Sequence, residues 1–352
     1  MIIAAFKNSG IDKIEGNIYL DLSSSDSLFW GKGWMWDDDS SRDFPYMNSL
    51  PINKNSIKVV ISPSPAGEKP LVTTIPPTEF VHIINKAVTV EGDTTKLSVT
   101  RDWINRNNDI TVSGFTGAAS LPDTLETNIV NPDKYFLALF TEQLKKGGIE
   151  FSGKTDTLKT PAGLEPVASV KRPIEKVINR TNKESDNLNA EMLLRCTAYE
   201  MLKRKVSAED GVKYTDSLIT LAGLKGSNYR IVDGSGLSFY NLISTRLLTE
   251  VLKYIYSRPE LYNVILPSLP SAGIDGTMAG RLKEFAHLNN INLKTGSLSG
   301  VSALAGYITS EHGHTLAVSV LIQNFKGNQA PVREIMDEIC RAAFLIKSEK
   351  DE

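Results

Sequence analysis

The sequence predicts an α+β protein of more than one domain. Three observations carry that expectation. The chain has 352 residues, more than one ordinary hydrophobic core accommodates. Up to residue 165, short apolar–polar alternations are broken by prolines and glycines, which reads as β-rich. From residue 166 to 352 the apolar residues recur at three- and four-residue spacing, which reads as longer helices.

Taken in order, Gly16–Asp21 and Ser56–Ser62 alternate as half-buried strands. Pro63, Pro65, Gly67 and Pro70 then break the chain into turns. Lys96–Thr100 and Asp109–Ser113 are expected to form a hairpin around the polar Arg106-Asn107-Asn108 region. Pro132–Lys146 turns helical, with Phe136, Leu137, Leu139, Phe140 and Leu144 apolar. Pro173 suits the first turn of a helix, where its missing N–H has no partner anyway. Leu188, Met192, Cys196 and Tyr199 fall on one face of the next helix. Residues 209–222 and 244–256 also read as helices. Residues 301–309 and 315–323 read as two strands of one sheet around the Ser310–His314 turn. Val332, Ile335, Met336, Ile339, Cys340 and Ala343 give the last helix an apolar stripe.

Composition narrows the function classes. A net charge of -2 offers no electrostatic argument for nucleic acid or an anionic membrane as partner. No apolar run approaches the ~20 residues of a membrane-spanning helix. Met1–Phe6 is apolar but too short for the core of an export signal, so none is expected in this chain. Cys196 and Cys340, the only cysteines, are expected as buried free thiols, with a disulfide between them left open. No metal and no cofactor is expected. Asp37, Asp38, Asp39 and Asp43 lack the spacing of a calcium loop and read as a solvated acidic loop. His312 and His314 sit in a polar turn, and Asp233-Gly234-Ser235-Gly236 lacks the Lys-Ser/Thr ending of a phosphate loop.

Two triplets carry chemistry: Ser185-Asp186-Asn187 and Lys294-Thr295-Gly296. Alone, each has an ordinary reading. Ser, Asp and Asn are common helix caps, and Lys-Thr-Gly suits a strand edge entering a turn. Their surroundings change this. Asn182–Glu191, Asp233–Ser238 with Asn241-Leu242, and Leu269–Met278 leading to Lys294–Ser297 occur in that order. Upstream lie Ile14–Asn17 and Gly33–Asp38. Over nearly its whole length the chain resembles the penicillin-binding protein 4 (peptidase S13) family of D-alanyl-D-alanine carboxypeptidases.

The resemblance implies a penicillin-binding transpeptidase (serine β-lactamase-like) domain. Residues 166–352 would be its C-terminal part, and residues 1–165 the β-rich accessory domains inserted in it. It implies a periplasmic serine-type enzyme acting on peptidoglycan stem peptides ending in D-Ala-D-Ala and acylated by β-lactams, with no metal or cofactor. Endopeptidase activity stays open. Ser185 would meet the nucleophile–lysine pair and relay a proton to the leaving amine. Asn187 would orient the substrate amide, and Lys294 would favour an anionic substrate. Thr295 and Ser297 would hold the terminal carboxylate, with the Ser297 N–H as half of an oxyanion hole. Gly296 would let the substrate backbone approach.

One family element is absent from this sequence. No serine, threonine or cysteine is followed three residues later by lysine, so the chain holds no Ser-x-x-Lys nucleophile motif. The chain alone is therefore expected to be inactive. A single cut would account for the missing nucleophile and export signal together, so truncation is expected over natural decay. The surface thus uncovered is expected to promote self-association. The alternative reading is a non-catalytic peptidoglycan-binding relative.

Overall fold

The computed structural model describes residues 2–347. They form two units. One runs up to Lys171 and takes in Leu202–Ser207; the other holds Arg172–Met201 and the chain from Ala208 on.

The first unit begins with α1 (Ile2–Asn8), β1 (Lys13–Ile14) and β2 (Ile18–Leu20). It continues through β3 (Ser56–Ser62), β4 (Leu71–Ile75), β5 (His82–Asn85), β6 (Val88–Val90), β7 (Lys96–Arg101), β8 (Asp109–Gly117) and β9 (Asp123–Asn128). Then come α2 (Pro132–Lys146), β10 (Glu150–Phe151) and β11 (Thr155–Thr157). The strands β4-β3-β9 form one antiparallel sheet. A second sheet runs β5-β8-β6, with β7 antiparallel to β8. Alternation works as the pleat requires: Ile57, Val59 and Ile61 turn inward while Lys58 is exposed. Ile110, Val112, Tyr135 and Leu139 complete that core. In the 16–21 stretch only Ile18–Leu20 is strand, paired with Thr155–Thr157. The left-handed Gly16 turns the chain before it, and the Asp21 carboxylate accepts the Ser23 N–H after it.

The acidic loop is not wholly solvated. The Asp39 side chain is 7% exposed and pairs with Arg101, itself fully buried. Arg101 Nε also donates to Asn128 Oδ1 at 3.0 Å, and Nη1 to the Asn107 carbonyl at 2.8 Å. The Tyr46 hydroxyl donates to Asp39 Oδ2 at 2.7 Å. Burial alone would raise the Asp39 pKa; the hydrogen bonds from Tyr46 and Arg101 outweigh it and hold the carboxyl below its ordinary value.

The second unit carries α3 (Ile174–Lys183), α4 (Asn187–Leu202), α5 (Ala208–Leu221), α6 (Thr245–Tyr256) and α7 (Pro259–Ser268). The antiparallel sheet β12 (Ile291–Leu298), β13 (Val301–Thr309) and β14 (Thr315–Gln323) follows, then α8 (Ala330–Phe344). One face of the sheet packs Leu293, Leu304 and Ile308 against Met336, Cys340 and Ala343 of α8. The other packs Tyr307 and Ala305 against Leu252 of α6 and Tyr262 and Ile265 of α7. The α+β class holds.

Two helix faces differ from their apolar periodicity. In α4 the buried residues are Leu188, Glu191, Arg195 and Ala198, whereas Cys196 and Tyr199 are exposed. The expected burial of both thiols therefore fails for Cys196; Cys340 is buried, and both cysteines are free. The reason is an ion pair. Arg195 Nη1 donates to Glu191 Oε2 at 2.9 Å, and Glu191 Oε1 accepts the Gly234 and Ser235 N–H groups at 2.9 Å each. A charge so satisfied can occupy the inner face. In α8, Asp337 turns inward to Arg281 at 2.7 Å, while Ile335 and Ile339 face out.

Candidate active site

Ser185-Asp186-Asn187 is the joint between α3 and α4. The Asp186 N–H reaches back to the Thr181 carbonyl at 3.0 Å, closing the wide turn that ends many helices. Ser185 occupies the position that glycine usually fills there, with φ at 52°. For a residue with a Cβ this left-handed conformation costs roughly 1–2 kcal/mol. Asp186 then caps the next helix, its Oδ1 accepting the Asn189 N–H at 3.0 Å. Asn187 is the first residue of α4. The triplet thus ends one helix, starts another, and fixes the direction of the serine hydroxyl.

Lys294 approaches that hydroxyl from β12. Its Nζ donates to Ser185 Oγ at 2.7 Å and to the Thr295 carbonyl at 2.6 Å. Among the described residues no carboxylate pairs with it. Burial without a counter-charge pushes its pKa down from 10.5 to about 8. The group can therefore exchange a proton near neutral pH.

β12 is an edge strand, with β13 on one side. On the other side, the Leu293 N–H donates to the Pro270 carbonyl at 2.8 Å, and the Ala272 N–H to the Ile291 carbonyl at 3.0 Å. Antiparallel alternation turns the amides of Thr295 and Ser297 outward in the same sense. Past Leu293, no described strand pairs with this edge. Ser297 is exposed on it. A Cβ placed on Gly296 would lie 3.2 Å from the Ala303 Cβ, so a larger residue would crowd the neighbouring strand.

Thr295 Oγ1 donates to Thr277 Oγ1 at 2.7 Å. Thr277 belongs to a loop with further ties: Ser271 Oγ donates to Asn292 Oδ1 at 2.8 Å, and Lys183 Nζ donates to both oxygens of Asp275 at 2.7 Å. Gly276 is left-handed, and a Cβ there would stand 2.7 Å from the Lys183 carbonyl. Neither triplet points to Thr277, Asp275, Lys183 or Glu191. The 269–278 segment is part of the resemblance, but its sequence gives no sign of which elements it joins.

The structure thus brings Ser185 and Lys294 into direct contact, with Thr295 beside them and Ser297 further along the same edge. A half-buried lysine whose pKa is lowered, set on a serine hydroxyl, is suited to moving a proton at that serine.

Fold and site together define a class, the mixed α+β proteins of the penicillin-binding kind. A crystal structure of penicillin-binding protein 4 (dacB) from Haemophilus influenzae superposes with a TM-score of 0.79 at 27% identity, covering 98% of this chain and 78% of that one. A complex of that protein with a β-lactam gives 0.71 over 98% and 77%. The profile of the D-Ala-D-Ala carboxypeptidase 3 (S13) family matches residues 1–343, and the chain belongs to that family. The D-alanyl-D-alanine carboxypeptidase DacB of Haemophilus influenzae is 28% identical over 331 residues, 92% of this chain and 68% of the relative. The D-alanyl-D-alanine carboxypeptidase of an Actinomadura species is 26% identical over 92% of this chain and 62% of its own length. The chain therefore spans about two thirds of these relatives.

Proposed function

We propose that Ser185, Asn187 and Lys294 are working residues of a serine-type D-Ala-D-Ala carboxypeptidase. Thr295, Gly296 and Ser297 form its substrate edge. The reading rests on one observation above the rest: Lys294 and Ser185, 109 residues apart, meet in a 2.7 Å hydrogen bond. With Lys294 donating, the Ser185 hydroxyl keeps its own proton free to pass to the amine that leaves as D-alanine departs. The stem peptide lies along the open edge of β12, where an extended chain adds as a further strand. The outward N–H of Ser297 meets the carbonyl oxygen as it becomes anionic; one such donor elsewhere is worth about 3–4 kcal/mol. The terminal carboxylate sits at the hydroxyls of Thr295 and Ser297. Peptidoglycan is extracytoplasmic, and the native protein is assigned to the periplasm on that ground.

The attacking serine is not among these residues, and the sequence offers no Ser-x-x-Lys to supply it. This chain is accordingly proposed to form no covalent β-lactam adduct. Fluorescent penicillin tests both statements. A form that also carries the family's Ser-x-x-Lys motif should label, and should lose most labelling in Lys294→Met; this chain should stay dark. A form with that motif that binds muropeptides but never labels would favour the non-catalytic binder instead. A stable adduct on this chain would overturn the assignment of the motif residues.

A further inference from the structure

We propose that Lys183 and Asp275 form a positioning latch that, through the 271–277 loop, holds the Ser185 hydroxyl on the amine of Lys294. The inference rests on the reading of Ser185 and Lys294 as a proton-handling pair and adds residues that neither motif contains.

The two partners come from separate elements. Ser185 sits at the α3–α4 joint and Lys294 in an edge strand. The 271–277 loop lies between these elements and is tied to both. On one side, Lys183 Nζ, two residues before Ser185, donates to both Asp275 oxygens at 2.7 Å. The Lys183 side chain is 16% exposed while Asp275 is 43% exposed, so the shielding lies on the lysine side, against the loop backbone. The absence of a Cβ at Gly276 lets the loop backbone close on the Lys183 carbonyl. On the other side, the loop grips β12 on both flanks of Lys294. Ser271 to Asn292, with the Leu293 N–H to the carbonyl of Pro270 just before the loop, precede it; Thr295 to Thr277 follows it.

Asp275 completes the bridge from within. Its Oδ1 also accepts the Ser271 N–H at 2.9 Å, so one carboxylate stiffens the loop and anchors α3. Lys183 and Asp275 touch no reacting group in this arrangement. They act by fixing where Ser185 stands. Two further charged contacts at the joint, Arg180 with Asp186 at 3.3 Å and with Glu184 at 3.5 Å, lie within the corner itself and stay intact in the variants below.

The readout is the reactivity of Lys294 on this chain. Competitive acetylation with acetic anhydride across the alkaline range, read by mass spectrometry, follows each lysine separately. Lys183→Met keeps the aliphatic stem and the Ser271–Asp275 bond while breaking the latch. Asp275→Asn keeps an acceptor for Ser271 while removing the charge. In both, water should reach the amine, and Lys294 should become about tenfold less reactive near pH 8, a titration about one unit higher. The swapped pair Lys183→Glu/Asp275→Lys should recover part of that loss. Arg281→Met breaks a comparable ion pair with Asp337 elsewhere in the unit and should leave Lys294 unchanged.

The latch is overturned if Lys183→Met leaves Lys294 within twofold of wild type. It is also overturned if Arg281→Met shifts Lys294 as far, or if wild-type Lys294 already titrates at its ordinary value. Should Asp275→Asn fail to fold, Lys183→Met alone decides. Penicillin labelling of a form carrying the Ser-x-x-Lys motif decides the proposed activity separately, since Lys294 titration requires no nucleophile.

Discussion

Two shielded cations, one in each unit, are treated in opposite ways: Arg101 is fully buried and Lys294 half-buried. Arg101 is fully enclosed and meets a carboxylate, an amide oxygen and backbone carbonyls. Lys294 is half-buried, yet its partners are a hydroxyl and a carbonyl, both uncharged. The first cation is neutralised where it stands by the Asp39 carboxylate. The second carries an uncompensated desolvation cost, which it can shed by giving its proton away. One side chain fastens loops to a sheet; the other holds its charge at the serine hydroxyl with no carboxylate partner among the described residues.

Breaking the first arrangement should have the largest effect. Asp39→Ala strands the Arg101 guanidinium and should destabilise the first unit by about 3–5 kcal/mol. Urea unfolding followed by tryptophan fluorescence would read this, and a loss below about 1 kcal/mol, the value of a surface pair, would erase the contrast. Lys294→Met, by comparison, removes a costly charge and should be at least as stable as wild type at neutral pH.

The pH dependence sharpens the point. The folded Lys294 pKa of about 8 lies below the ordinary 10.5. Between those values the unfolded chain binds more protons, so stability rises with pH there. The gain attributable to Lys294 is about 3 kcal/mol in all. It should appear as the difference between wild type and Lys294→Met in denaturation midpoints taken from pH 8 upward. A flat difference would mean that Lys294 is better solvated than its surroundings indicate.

A smaller effect separates backbone from hydroxyl at Ser185. Ser185→Gly relieves the left-handed strain and should be about 1 kcal/mol more stable than Ser185→Ala, while both lose the Lys294 contact. Thermal melts of the pair, compared at one pH, give the sign directly. Smallest of all should be the exposed network around Arg341, which reaches Glu284, Glu334 and Glu338. Glu284→Gln should cost no more than about 0.5 kcal/mol, and that remainder should vanish in molar salt.

Much of the fold is legible from local rules. The 132–146 helix can be read end to end because Pro132 suits its first turn and Gly147 follows its last residue. The hairpin of β13 and β14 shows in two β-branched runs around a polar turn. The faces of α4 and α8 are less legible, because periodicity ranks positions by apolarity. Glu191 and Asp337 turn inward through Arg195 and Arg281, and the latter partner is far along the chain. Asp39 misleads for the same reason, since Arg101 lies 62 residues away. Ser185 and Lys294 stand out in the sequence because their neighbours form recognisable triplets. Lys183 and Asp275 do not, because their meaning lies in a contact across 92 residues.

The left-handed serine also limits what variation position 185 can accept. Glycine satisfies the backbone and lacks the oxygen. Threonine supplies the oxygen, but its branched Cβ suits the left-handed region poorly. Asparagine fits the backbone and adds bulk against Lys294. Aspartate fits too, but its charge would lock the proton on the amine, turning Lys294 into a second Arg101. A library at this one codon, sorted once for folding and once for lysine reactivity, should yield two different short alphabets, with serine in the overlap.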